Sequence, residues 1–143
     1  MRAKLLLADS AEVREGLLFL LGGGWTQNGP APTVFALAGI IEVEWAEANT
    51  RHSAEFTVVE EDGPPLMIPM PTGEPQPFRI ATQFEVGRPP GSPPGTSFNL
   101  PLAIPILPIP WTAGQRYVVI LRIDDHEHDR LTFSVRSVAP QPR

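Results

Sequence analysis

The chain has 143 residues, a formal net charge of −5 and no cysteine. Its length suits one domain that buries its own core, and the missing thiols exclude disulfides, thiolate zinc sites and a cysteine nucleophile. Acidic and basic residues are interspersed, which excludes the clustered positive field that a nucleic-acid binder needs.

Arg2 and Lys4 precede the short apolar run Leu5 to Ala8, which Asp9 ends. An export signal needs roughly 7 to 15 apolar residues and a membrane span roughly 18, so a cytoplasmic protein without membrane contact is expected. Lys4 to Ala11 and Leu17 to Gly22 read as a hairpin that turns near Gly16. Val34 to Trp45 is the longest strand candidate, with Phe35, Leu37, Ile41, Val43 and Trp45 on one face, Glu42 and Glu44 on the other, and a bend at Gly39. His52 to Glu60 alternates again and is expected to pair with it as a second hairpin, His52 being most simply a surface residue. Phe78 to Val86 reads as a strand between two proline-rich loops.

Phe98 to Trp111 follows, apolar at period two through Leu100, Leu102, Ile104 and Ile106 yet carrying four prolines. Proline donates no backbone hydrogen bond, so this segment predicts a sheet edge or a chain draped over the body. Gln115 to Asp124 and Arg130 to Ser137 alternate cleanly and form the clearest hairpin. No window carries a helical apolar period over the roughly 12 residues that a stable helix wants. Eighteen prolines and twelve glycines beside 42% hydrophobic residues fit short strands joined by rigid turns. The expected fold is all-β: one antiparallel two-sheet sandwich, immunoglobulin-like or jelly-roll, of about eight strands with a proline-rich edge. It occupies residues 1–138, and a short extended tail covers 139–143.

Three stretches carry a resemblance: Leu5 to Val13, Leu17 to Trp25 with its Gly22-Gly23-Gly24, and the Gly87 to Gly91 loop together with Gly114 to Tyr117. With them nearly the whole chain resembles a family of uncharacterised bacterial proteins, frequent in actinobacteria. The resemblance implies a single small cytoplasmic β-sandwich and brings no activity or catalytic residue with it.

The residues offer several chemistries and a plainer reading of each. Asp124, His126, His128 and Asp129 lie in a run of six potential metal ligands, yet their spacing matches no standard site. A solvated hairpin tip is the expected reading, with no metal and no cofactor. Glu42 and Glu44, on one face of a strand and about 7 Å apart, could serve as an acid and base pair, but outward carboxylates on a half-buried strand are ordinary. The glycine run lacks the glycine spacing of a dinucleotide loop and is followed by no Gly-Lys-Ser or Gly-Lys-Thr. No serine sits in a nucleophile elbow.

What remains favours contact with other molecules. Leu107 and Ile109 break the alternation of the segment before them, so apolar side chains there, with Trp111 beyond, are expected to face outward and mark an interaction edge. The leading expectation is a noncatalytic module that forms a homo-oligomer or binds a protein partner. The alternative is a small-ligand, carbohydrate-like site built on Trp25, Trp45 or Trp111 as a stacking platform.

Overall fold

A computed structural model describes residues 1–137. The strands are β1 (Arg2–Ala8), β2 (Ser10–Arg14), β3 (Leu17–Leu21), β4 (Gln27–Asn28), β5 (Phe35–Val43), β6 (Arg51–Glu60), β7 (Met67–Ile68), β8 (Gln76–Pro77), β9 (Arg79–Glu85), β10 (Phe98–Ile106), β11 (Arg116–Ile123) and β12 (His126–Val135). The only helical piece among the described residues is a three-residue 3-10 turn at Trp45–Glu47. The all-β reading therefore stands, but the finer expectation changes. The strands form four sheets, β1-β5-β10, β4-β12-β11-β6-β9 and the pairs β2-β3 and β7-β8, with no closed sandwich among the described residues. One ladder, β4 on β12, is parallel. The expected tail, 139–143, lies outside the described residues.

β5 is the central strand of its sheet because it is apolar on both sides. Its Phe35, Leu37, Ile41 and Val43 join the main core, with Leu5 and Leu7 of β1 on one flank and Ile106 of β10 on the other. Its other face carries Ala36, Ala38 and Ile40. Gly39 is paired without interruption to Leu5 and Leu102, so it serves a close approach of strands within an unbroken ladder. A Cβ placed there would sit 2.6 Å from the Lys4 carbonyl oxygen. The proline-bearing segment is β10, a true strand, and it is the edge that the prolines predict: it pairs only with β5.

The expected hairpin between β5 and β6 does not form. The turn at Trp45–Glu47 carries the chain from one sheet to the other, and β6 pairs with β9 and β11 instead. From this larger sheet Phe56, Val58, Tyr117, Val119, Leu121, Ile123, Phe133 and Val135 point into the same core as β5. Aromatic rings close one end of it, Trp111 lying 5.0 Å from Tyr117 and 5.3 Å from Phe133 in edge-on contacts. Fully burying each large apolar side chain contributes on the order of 1.5–3 kcal/mol, so this shared interior is where the stability resides.

Two hairpins have two-residue turns. Glu15 and Gly16 (φ 51° and 74°) join β2 to β3, and Asp124 and Asp125 (φ 49° and 66°) join β11 to β12. Both central residues at positive φ give the mirror-image turn whose twist matches that of paired strands. Two expectations are corrected here. The first hairpin begins only at Ser10, because the strand read as Lys4 to Ala11 splits at Asp9 and its first part pairs with β5. The acidic and histidine run is not a loop: only Asp124 and Asp125 turn, and His126 to Asp129 already belong to β12.

Candidate interaction surface

The β2-β3 hairpin lies against β5 and β10, over the face where Ala8, Ala36 and Ala38 are buried. Alanines make that face shallow, which lets a two-stranded ribbon approach it. Cross-strand pairing puts Ala11, Val13, Leu18 and Leu20 on one face of the ribbon and Ser10, Glu12, Arg14, Leu17, Phe19 and Leu21 on the other. Leu20 lies beside Leu6 of β1 at Gly23, so the first face is turned toward the body, with Ala11 and Leu18 half-buried and Val13 and Leu20 still 41% and 37% exposed. The second face is open: Leu17, Phe19 and Leu21 are 62%, 48% and 73% exposed. Arg14 sits over the Phe19 ring at 5.4 Å while bonding Glu12, which leaves the polar half of this face electrically balanced. A groove of about 390 Å³ runs between Ser10, Glu12, Phe19 and Leu21.

Leu107 is also open, at 71%. It and the exposed Val34 continue the two strands just past the paired Phe35 and Ile106. Ile109 and Trp111 do not share this surface. Both are buried, which corrects the expectation of an outward run: beyond Ile106 the chain leaves the strand, and Trp111 turns into the aromatic end of the core. The residues missed in the sequence are those of β3. An apolar run without alternation reads as a strand buried on both faces, and here one face is left bare.

The tryptophan rings are already engaged. Trp25 packs edge-on against Phe35 at 5.2 Å and Phe133 at 6.2 Å. Arg88 covers the Trp45 ring at 4.3 Å and bonds the Trp45 carbonyl, and Phe98 stacks near the same ring. Glu42 and Glu44 are also separated in role. Glu42 binds Arg2 at 2.7 Å, and Glu44 lies past the strand, where its backbone N–H donates to Glu47 at 3.0 Å.

The proposed metal ligands are dispersed. Asp129 accepts the Leu5 backbone N–H at 2.7 Å, tying the free edge of β1 to β12. His128 contacts the carbonyl of His126, and Asp124 faces away toward β6. Among the described residues no three His, Cys, Asp or Glu side chains converge on one point.

Asp124 instead meets a residue expected at the surface. His52 is only 7% exposed, buried because it shares the inward parity of Ala54, Phe56 and Val58 on β6. Its Nδ1 lies 2.6 Å from Asp124, its Nε2 2.8 Å from the Glu47 carbonyl oxygen, and its ring packs on Phe84. With an acceptor at each nitrogen, the doubly protonated ring fits the site. Burial pulls the His52 pKa down, but the Glu47 carbonyl and the Asp124 carboxylate together hold it above its ordinary value. Asp124 is held below its ordinary value by His52 and by the Ser53 N–H it accepts at 3.0 Å. A His-Asp pair is the geometry of a base and its orienting group, but here Nε2 is occupied by a backbone carbonyl, so the pair acts as a clamp between β6, the 3-10 turn and the β11-β12 turn. Next to it a groove of about 530 Å³ carries Glu55, Arg79 and Arg122, with Arg79 bonded to Glu55 at 2.6 Å.

No helix among the described residues is long and apolar enough to cross a membrane. No curated protein and no solved structure matches the chain. The model of a family of unknown function, DUF6941, matches residues 4–136, and the chain belongs to that family.

Proposed function

We propose that this protein is a noncatalytic module that works through protein contacts, either by self-association or as an accessory subunit. In this reading residues 1–138 form one cytoplasmic unit whose two larger sheets stack as a sandwich, and its relatives are spread among actinobacteria. The observation that carries the reading is the bare stripe of Leu17, Phe19 and Leu21 beside the paired Glu12 and Arg14. Exposed contiguous apolar surface on a small domain marks a contact site, and Leu107 with Val34 adds a second, smaller patch. The polar groups with shifted pKa values support it too, since His52, Asp124 and Glu127 are held in structural pairs.

The test is affinity capture from host lysate together with absolute mass by light scattering, comparing the full chain with a Leu17→Ser, Leu21→Ser double variant and with Leu107→Asp. A discrete oligomer or a stoichiometric partner that the variants lose is the expected result. A monomer that captures nothing, combined with tryptophan fluorescence that responds to a sugar panel, would replace this reading with a small-ligand module.

A further inference from the structure

The segment from Gly16 to Gly22 reads Gly-Leu-Leu-Phe-Leu-Leu-Gly, the same in both directions. It contains the whole of β3, which pairs with β2 along one edge and, among the described residues, with no other strand along its second edge. In a hairpin with a two-residue turn the residues flanking the turn form a hydrogen-bonded pair and the pattern alternates from there. Arg14 with Leu17, Glu12 with Phe19 and Ser10 with Leu21 are then the bonded rungs. The backbone groups of Leu18 and Leu20 point the other way, to the open edge.

Resting on the contact reading above, we propose that this edge pairs with the same edge of a second copy, antiparallel about a two-fold axis at Phe19. In that register Leu18 and Leu20 of one copy bond Leu20 and Leu18 of the other, which satisfies every outward backbone group of the strand's middle. Phe19 meets Phe19 at the axis, in the closer, non-bonded type of rung, where aromatic pairs add to pairing. The palindrome makes every rung of the ladder leucine on leucine or phenylalanine on phenylalanine.

Two further features favour a second copy as the occupant. Copies of a chain with net charge −5 repel each other, yet this stretch carries no charge and the Glu12-Arg14 pair beside it is neutral. The other edges are less suited: β10 carries Pro101 and Pro105, the free side of β1 gives its Leu5 N–H to Asp129, and the open edges of β9 and β2 carry charged residues, Arg79 and Glu85 on one and Glu12 and Arg14 on the other. Gly16 and Gly22, both at positive φ, turn the chain away at each end, which limits the ladder to the five residues of β3. The isologous pair uses up the palindromic edge of both copies, and the edge of β2 that stays open carries Glu12 and Arg14, so the pair closes as a dimer instead of growing into a fibre. A contact this short falls below the roughly 800 Å² per partner of a standard interface, so the dimer exchanges with monomer on dilution.

The experiment is sedimentation equilibrium of the full chain over a concentration series, with Phe19→Lys and Phe19→Glu studied separately and mixed. The wild type is expected to move from monomer to dimer mass as concentration rises. Each charged variant alone stays monomeric because like charges face each other at the axis, and an equal mixture recovers the dimer. The double variants Leu17→Lys with Leu21→Lys, and Leu17→Glu with Leu21→Glu, give the same readout two rungs away, alone and mixed, should a Phe19 variant fail to fold. A wild type that is monomeric at every concentration, or a dimer that survives in both charged variants, overturns the pairing. If lysate capture by such a monomer still depends on Phe19, the contact reading stands and only the self-pairing falls; if capture is unaffected, both fall.

Discussion

The hairpins β2-β3 and β11-β12 share their local construction and differ in what they do. Each has paired strands and a two-residue turn at positive φ. The second feeds Tyr117, Val119, Leu121, Phe133 and Val135 into the core, and its turn is clamped by Asp124 onto His52 and Ser53. The first lies on an alanine floor and turns Leu17, Phe19 and Leu21 to solvent. Hydrophobicity alone therefore does not assign a strand to the core; what decides is whether a second layer stands opposite it.

The sharpest way to break this contrast is to truncate one phenylalanine in each hairpin. Phe133→Ala removes a fully buried ring touching Trp25, Trp111 and Tyr117, and should lower stability by about 3–5 kcal/mol. Phe19→Ala should change monomer stability by about 0.5 kcal/mol or less, as an exposed substitution. Urea denaturation at a concentration where the chain is monomeric checks both, and comparable losses would mean that the β2-β3 stripe is buried in solution.

A smaller effect is expected at the clamp, because Asp124 is half exposed and its charge is screened. His52 has its folded pKa raised, so its contribution is fully present below the ordinary value of 6.5 and fades as pH rises through the folded value. Asp124 has its pKa lowered, so its contribution is present above the ordinary value of 3.8 and fades as pH falls through the folded value. Together they favour the folded state most between these ordinary values. Asp124→Asn keeps a residue that tolerates positive φ while removing the charge. It should cost about 1 kcal/mol at pH 5.5 and clearly less at pH 8, measured as the difference in urea midpoint from wild type. An equal cost at both pH values would show that the charge on His52 does not change between them.

Much of the framework was legible in the sequence because strand parity and proline placement act locally. The alternation of Tyr117 to Ile123 gave the β11-β12 hairpin, and Pro101 with Pro105 gave the edge position of β10. Sheet membership was not legible. Val34 to Trp45 and His52 to Glu60 look like a hairpin by spacing, but the turn at Trp45–Glu47 sends them to different sheets, a choice made by packing. The site divided along the same line. Leu107 is exposed, as its broken alternation suggests, whereas Ile109 and Trp111 are drawn inward, Trp111 by an aromatic cluster assembled from distant strands. His52 could have been placed inside from its parity with Ala54 and Phe56, had its polarity not outweighed its position.

The smallest effect separates the hairpins at their turns. The most favourable two-residue turns of this type place Asn or Asp first and Gly second. Each turn here meets half of that rule: Glu15-Gly16 has the glycine, and Asp124-Asp125 has the aspartate. Asp125→Gly frees a side chain from φ 66°, and this relief of about 1 kcal/mol is partly offset by the greater entropy of glycine in the unfolded chain, about 0.4–1 kcal/mol. A net gain of a few tenths of a kcal/mol is expected, visible in the urea midpoint because β11 and β12 unfold with the core. Glu15→Asn improves the other turn by a similar amount, but its readout depends on coupling. If β2-β3 opens before the core does, the midpoint stays fixed and only amide exchange within the hairpin slows. If the midpoint rises as well, the ribbon over the alanine face unfolds together with the core, and its bare outer stripe belongs to a fully cooperative structure.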